Sequence, residues 1–304
     1  MKAVVFGCQQ IAVDFIEYLH LRPDVELPLV ITYDLPLDKT YGYDSVLNYC
    51  VESKVEVTTS NQRSGSIINK INAIDPDIIF SIYYRKILPI DILNIPRLGC
   101  INIHPSLLPE YRGPVPTAWA ILNGEIETGI TIHLMDKSID TGKILVQKKF
   151  PILEDETGFE LYTRTMKIGL EQLISNFDEI VNKEITPQQQ LGTGSYFGKL
   201  PSKYRIDWKS RHKDIVNHIR VHSKPYNPAE TIMFNRYFII NKAKSVIPDG
   251  YIAQVPGRVI DVLSNGDLIV SCADGCVLIY DYEIAPRLSE IEKNIYLKIG
   301  NFFD

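Results

Sequence analysis

Apolar residues along the chain recur with two different periods. AVVFG, residues 3 to 7, is continuous, as in a strand buried on both faces. A helical stripe follows, in which Ile11, Phe15, Tyr18 and Leu19 share one face. LPLVITY and DPDIIFSIYY repeat the continuous apolar pattern. Strands alternating with helical stretches predict a parallel sheet covered by helices. Cys100 to His104 reads as a further strand, and TAWAILNG as a short helix stopped at Asn123-Gly124. GITIHLM and KILVQKKF are strand-like, and the polar DKSIDTG, residues 136 to 142, turns between them. The clearest helix covers residues 158 to 183, with Leu170, Leu173, Ile174, Phe177, Ile180 and Val181 on one stripe.

The texture changes at PQQQLGTGSYFGKLPSK, residues 187 to 203, where Gly, Pro and Gln cluster without apolar periodicity, as in a linker. A helix near residues 209 to 222 follows. Beyond it the period is that of short strands: TIMFNRYFIINKA, GRVIDVL, DLIVSC and CVLIYDYEI, with SNGD and ADGC as hairpin turns. The expected fold is α/β: a Rossmann-like, mostly parallel sheet with helices on both faces, then a small β-rich, OB-like domain. The expected boundaries are 1–186, a linker at 187–203, and 204–304.

Charge and cysteines narrow the classes. A formal net charge of -5 over 304 residues provides no overall basic field for a nucleic-acid backbone. No apolar run is long enough to span a bilayer, and MKAVVFGCQQIAVDF is too mixed for a signal peptide, so a cytoplasmic protein is expected. Five cysteines, an odd and sparse set, do not make a disulfide framework. Cys272 and Cys276 bracket a turn with no further metal ligands nearby in sequence, and no metal site is expected. His218 and His222 have a chelating helical spacing, but position 219 is Ile where a zinc hydrolase motif needs Glu. The first turn is GCQQIA and lacks the dinucleotide glycine fingerprint, so the architecture does not imply NAD.

The stretch INIHPSLLPEYRG, residues 101 to 113, carries the candidate chemistry. Residues two apart on a strand point to one face, roughly 6–7 Å apart, so Asn102 and His104 project together. They end a late strand, and ligands of open α/β sheets bind outside the carboxyl ends of strands. An amide N–H can stabilise the oxyanion of acyl transfer, and an imidazole can take the proton an attacking amine must lose. A carboxylate is needed to orient the imidazole, and the polar turn offers Asp140. The prolines at 105, 109, 114 and 116 stiffen the intervening loop.

INIHPSLLPEYRG followed by NGEIETGITIHLMDKSIDTGKILVQ closely resembles the formyltransferases that use N10-formyltetrahydrofolate. That family carries N-x-H, then S-L-L-P-x-[YW]-R-G, then D-x-G. The likeness runs through most of residues 1 to 200, and YFGKLPSKYRIDW resembles the start of the family's C-terminal module. The resemblance implies Asn102 as oxyanion donor, His104 as acid/base and Asp140 as the carboxylate that orients it. It implies folate lying against backbone at Lys86, Ile87 and Leu88, and against the turn of Asp136, Lys137, Ser138 and Ile139. It departs at Pro114, where sugar-modifying members carry Arg near the folate.

The family divides by acceptor. The loop DLPLDKTYGYDSVLNYC has three Asp and one Lys, a poor clamp for tRNA, and SIYYRKIL looks more like the amino-sugar branch. The expected acceptor is therefore the amine of a dTDP- or UDP-linked amino sugar, in cell-surface polysaccharide or lipopolysaccharide synthesis. Methionyl-tRNA, or water in a hydrolase, is the alternative. Tyr83, Tyr84, Tyr111 and Arg112 are the candidate acceptor contacts. Neighbours on a strand face opposite ways, so at least one of Tyr83 and Tyr84 is expected to pack, and Arg112 is expected to pin its loop rather than contact the acceptor. The C-terminal barrel is expected to help bind the nucleotide or to form a homodimer surface.

Overall fold

The computed structural model describes residues 1–34, 42–60, 64–248, 254–289, 292 and 295–304. In chain order the first part runs β1 (Lys2–Gly7), α1 (Gln9–His20), β2 (Glu26–Thr32), α2 (Val46–Glu52), β3 (Val57–Thr59), α3 (Ser64–Ile74), β4 (Ile78–Ile82), α4 (Ile90–Leu93), β5 (Cys100–His104), α5 (Pro116–Leu122), β6 (Glu127–Leu134) and β7 (Ile144–Pro151). Then come α6 (Gly158–Ser175), α7 (Phe177–Val181), α8 (His212–Val221), β8 (Ala229–Met233), β9 (Arg236–Val246), β10 (Val259–Val262), β11 (Leu268–Ser271) and β12 (Cys276–Ala285). No helix among the described residues is long and apolar enough to cross a membrane.

The first seven strands form one sheet in the order β3-β2-β1-β4-β5-β6-β7. β1 lies parallel to both β2 and β4, and β4 lies parallel to β5. From Ala3 to Gly7 every residue of β1 is buried, which is why its sequence is continuously apolar rather than alternating. The strand order reverses between β1 and β4, and this reversal opens a crevice at the carboxyl ends of the strands. β6 runs antiparallel to β5 and sets His133 opposite Asn102.

The helical stripe read over 158 to 183 is two helices. Asn176 leaves the helical backbone, at φ -106° and ψ 9°, and its side-chain amide donates to the Gln172 carbonyl at 2.8 Å. The Gln172 carbonyl thus accepts both this amide and the Asn176 backbone N–H, at 3.2 Å, where α6 gives way to α7. TIMFNRYFIINKA is likewise two strands. Phe234 and Asn235 take φ of 48° and 63°, the paired left-handed geometry of a two-residue hairpin.

The chain divides into two compact units. One holds residues 1–116, 128–150 and 163–198, and the other holds 117–127, 151–162 and 199–304. The last crossing falls after Gly198, inside the stretch 187–203.

The second unit contains a five-stranded sheet in the order β10-β11-β12-β9-β8, with antiparallel pairing throughout. Both edge strands are met by other backbone. Val259 N–H donates to the Asn301 carbonyl at 2.8 Å and Phe303 N–H to the Gly257 carbonyl at 2.9 Å, along β10. Asp304 N–H then donates to the Ile232 carbonyl of β8 at 2.9 Å. One tail therefore serves the two edges, leaving fewer open backbone groups to pair with another chain.

Candidate active site

β5 delivers Asn102 and His104 to the same face, as their spacing predicts. His104 is 5% exposed and Asn102 is half-buried. The turn after β6 brings Asp140 to them. Asp140 Oδ2 lies 3.4 Å from His104 Nδ1 and accepts the Gly113 N–H at 2.9 Å. His104 Nε2 sits 2.8 Å from the Tyr111 carbonyl. Both ring nitrogens thus face acceptors: a carboxylate that orients the ring, and a carbonyl that occupies the nitrogen an incoming amine would need.

His133, on β6 opposite Asn102, completes the cluster. Its Nε2 is 3.1 Å from Asn102 Nδ2 and 3.8 Å from Asp140 Oδ1, and its Nδ1 is 2.9 Å from the Leu134 carbonyl. Burial is the main force pushing its imidazole down to about 4; Asp140 pulls it up and His104 pushes it further down. An unfolded chain protonates this ring near 6.5, so between 6.5 and about 4 unfolding takes up a proton. Its contribution to stability is whole above 6.5 and is lost as pH falls through that window, at up to about 1.4 kcal/mol per pH unit. Urea midpoints measured from pH 7 to 4 should fall less steeply in His133→Gln than in the parent chain.

The stretch 188–197 does more than tether. Gln190, 9% exposed, donates from Nε2 to the Asp140 carbonyl at 2.9 Å and the Gly142 carbonyl at 2.8 Å. Its Oε1 accepts from Arg112 Nη2 at 2.7 Å and Nε at 3.3 Å. Four contacts on one buried amide join the Asp140 turn to the Arg112 loop. Ser195 adds to this by accepting the Tyr111 N–H at 2.9 Å on Oγ and the Arg112 N–H at 2.9 Å on its carbonyl. Neither Gln190 nor Ser195 stands out in the sequence, since each lies in a polar, aperiodic run.

The remaining candidate residues separate by placement. Arg112 pins its loop, with Nη1 also reaching the Thr193 carbonyl at 3.3 Å. Tyr84 stacks on Tyr33 at 5.0 Å and meets the Phe6 edge at 5.2 Å within the core, so its ring serves packing. Tyr83 is half-buried, with φ of 55°. The Tyr111 ring stacks on Phe197 at 5.0 Å and 11°. Lys86 Nζ donates to the Ser60 carbonyl at 3.0 Å, Leu88 is in the core, and Ile87 is 74% exposed. Lys137, Ser138 and Ile139 are exposed, and Asp136 holds their turn by accepting from Ser138 N–H at 2.9 Å and Thr141 Oγ1 at 2.7 Å.

Gln9, Tyr83, Tyr111, Val115 and Asp140 all have φ between 54° and 69°. For a β-branched residue such as Val115 that is a strained backbone, and such strain gathers in loops whose shape serves a site. Among the described residues no cluster of three His, Cys, Asp or Glu side chains could hold a metal. His218 Nε2 instead faces the Tyr204 carbonyl at 3.1 Å.

An amide, an imidazole and a carboxylate at the carboxyl end of a mostly parallel sheet suit acyl transfer. The formyl transferase model matches residues 38–176, and the formyl transferase C-terminal domain model matches residues 200–288. A methionyl-tRNA formyltransferase of Synechococcus sp. (strain JA-2-3B'a(2-13)) is 35% identical over 252 residues, covering 80% of this chain and 78% of that one. The bifunctional polymyxin resistance protein ArnA of Wigglesworthia glossinidia brevipalpis is 35% identical over 277 residues, 90% of this chain and 41% of that protein. Among solved structures, WlaRD, a sugar 3N-formyl transferase crystallised with dTDP and 5-N-formyl-THF, superposes with a TM-score of 0.73 at 25% identity, covering 95% of this chain and 99% of that one. The chain belongs to the formyl transferase family. It is an enzyme, a formyltransferase.

Proposed function

We propose that this enzyme moves a formyl group from N10-formyltetrahydrofolate to the amine of a dTDP- or UDP-linked amino sugar, a cytoplasmic step toward cell-surface polysaccharide or lipopolysaccharide. The observation that carries the acceptor is the end-to-end match to a solved sugar 3N-formyl transferase. The three Asp and one Lys of residues 34–50 support it as a feature of the sequence, although residues 35–41 lie outside the described set. A second reading, methionyl-tRNA as acceptor, is favoured by the 35% identity to the Synechococcus enzyme.

In the proposed reaction the neutral amine attacks the formyl carbon. Asn102 Nδ2–H donates to the carbonyl oxygen as it gains charge. His104, oriented by Asp140, accepts the amine proton and passes it to the departing N10. The new C–N bond replaces the C–N10 bond, giving a formamide and tetrahydrofolate. For this the amine takes the place that the Tyr111 carbonyl holds on His104 Nε2, and the left-handed Tyr111 backbone is where the loop would yield. The exposed aliphatic side chains of Ile87 and Ile139 (74% and 41% exposed) support the folate lying against these two loops, as apolar surface suited to covering a flat ring.

Tetrahydrofolate release from N10-formyltetrahydrofolate tests both readings, with UDP- and dTDP-linked 3-amino and 4-amino sugars, methionyl-tRNA and water run separately. Turnover with one nucleotide sugar alone is the expected result. Turnover with methionyl-tRNA, or equal release into water, replaces the acceptor.

A further inference from the structure

We infer that His133 is a positioning residue for the reaction: as a neutral ring protonated on Nδ1, it decides which end of the Asn102 carboxamide faces the reacting carbonyl. The inference rests on the reading of Asn102 as oxyanion donor.

The argument is one of donors and acceptors. Nδ1 lies 2.9 Å from the Leu134 carbonyl, which can only accept, so Nδ1 carries the proton. A neutral ring then presents a lone pair at Nε2, and only a donor satisfies it. At 3.1 Å that partner is the Asn102 carboxamide, which must offer its NH2 and not its oxygen. One amide proton is spent on His133, and the second, on the same nitrogen, remains for a developing oxyanion. The opposite flip would set Asn102 Oδ1 against the Nε2 lone pair and turn an oxygen toward the oxyanion.

The surroundings keep the ring neutral. His133 is buried on β6 at the register position opposite Asn102. Asp140 Oδ1, at 3.8 Å, and Asp136 favour a charged ring; burial and His104 oppose it and prevail. An imidazolium here would donate at Nε2 and force the amide over. Without an acceptor at this position the amide has no reason to prefer the productive flip.

The test uses the full chain, its folding checked by circular dichroism, and kinetics with the acceptor that turns over. His133→Leu is expected to lower kcat about tenfold to a hundredfold, less than loss of the donor itself, with both KM values nearly unchanged. His133→Gln, whose Oε1 can accept, should recover most of the loss. In an Asn102→Ala background, His133→Leu should cost nothing further, because the group it positions is gone. A full additional loss there, or parent-like kcat in His133→Leu, overturns the inference while leaving the role of Asn102 intact. Parent-like turnover in Asn102→Ala overturns both. If the Leu variant does not fold, nitrogen-15 NMR of the parent chain decides: a proton on His133 Nδ1 and a bare Nε2 is the expected pattern, and a proton on Nε2 overturns it.

Discussion

Asn102→Ala and His104→Ala should each lower kcat by about two to four orders of magnitude, with smaller changes in KM. The size follows from what each group does only in the transition state. A formyl oxygen in the ground state is a weak acceptor; in the tetrahedral intermediate it carries a full charge inside a site partly closed to water. Each factor of ten is about 1.4 kcal/mol of barrier, so the lower end of the range needs little more than one lost charge-assisted hydrogen bond. On the proposed reading His104 differs in kind, because it is the base that receives the amine's proton. Asp140 acts through His104 at 3.4 Å and also holds Gly113 N–H, so its replacement disturbs orientation as well as charge. Initial rates of tetrahydrofolate release at saturating acceptor measure these effects. Near-parent kcat in His104→Ala would remove it as the base and leave the Tyr111 carbonyl contact as its structural role.

What the sequence makes legible is local. Two residues apart on a strand must share a face, and β5 presents Asn102 and His104 that way. The continuous apolar runs predict buried strands; β4 is buried throughout, β1 from Ala3 on and β2 only from Leu29 on. What it hides depends on contacts between residues distant in sequence. His133 meets Asn102 across 31 positions, Gln190 meets Asp140 across 50, and Ser195 meets Glu110 across 85. No period or composition encodes such a pairing, so a buried glutamine that joins two loops looks like linker. The missed breaks are hidden for another reason. The helix breaks at Asn176 within a perfectly good apolar stripe, and the Phe234-Asn235 turn carries no glycine to announce it. Tyr83 and Tyr84 show the limit at its smallest scale. Strand alternation predicts that one of them packs, but β4 ends at Ile82 and Tyr83 takes a left-handed φ of 55°, so the premise fails there and it is contact with Phe6 and Tyr33 that shows Tyr84 packing.

Phe303→Ala should destabilise the C-terminal unit by about 3–5 kcal/mol, the range for emptying a large buried aromatic site. Phe303 is 4% exposed. Its ring stacks on Trp208 at 5.5 Å and 18°, and it meets Phe238 edge-on at 4.9 Å and 79°. Truncation would leave a cavity between two rings that cannot close it without moving the strands that carry them. The backbone compounds the loss. The same tail pairs with β10 through Asn301 and Phe303 and reaches β8 through Asp304, so loosening the ring exposes both sheet edges together. Trp208, whose indole N–H donates to Thr231 at 2.9 Å, reports from inside this contact. Its fluorescence during urea unfolding should shift to a lower midpoint in the variant, and amides of β8 and β10 should lose protection from hydrogen exchange before those of β12, which is paired on both sides. An unchanged midpoint would mean that the ring is incidental and that the backbone bonds alone hold the tail.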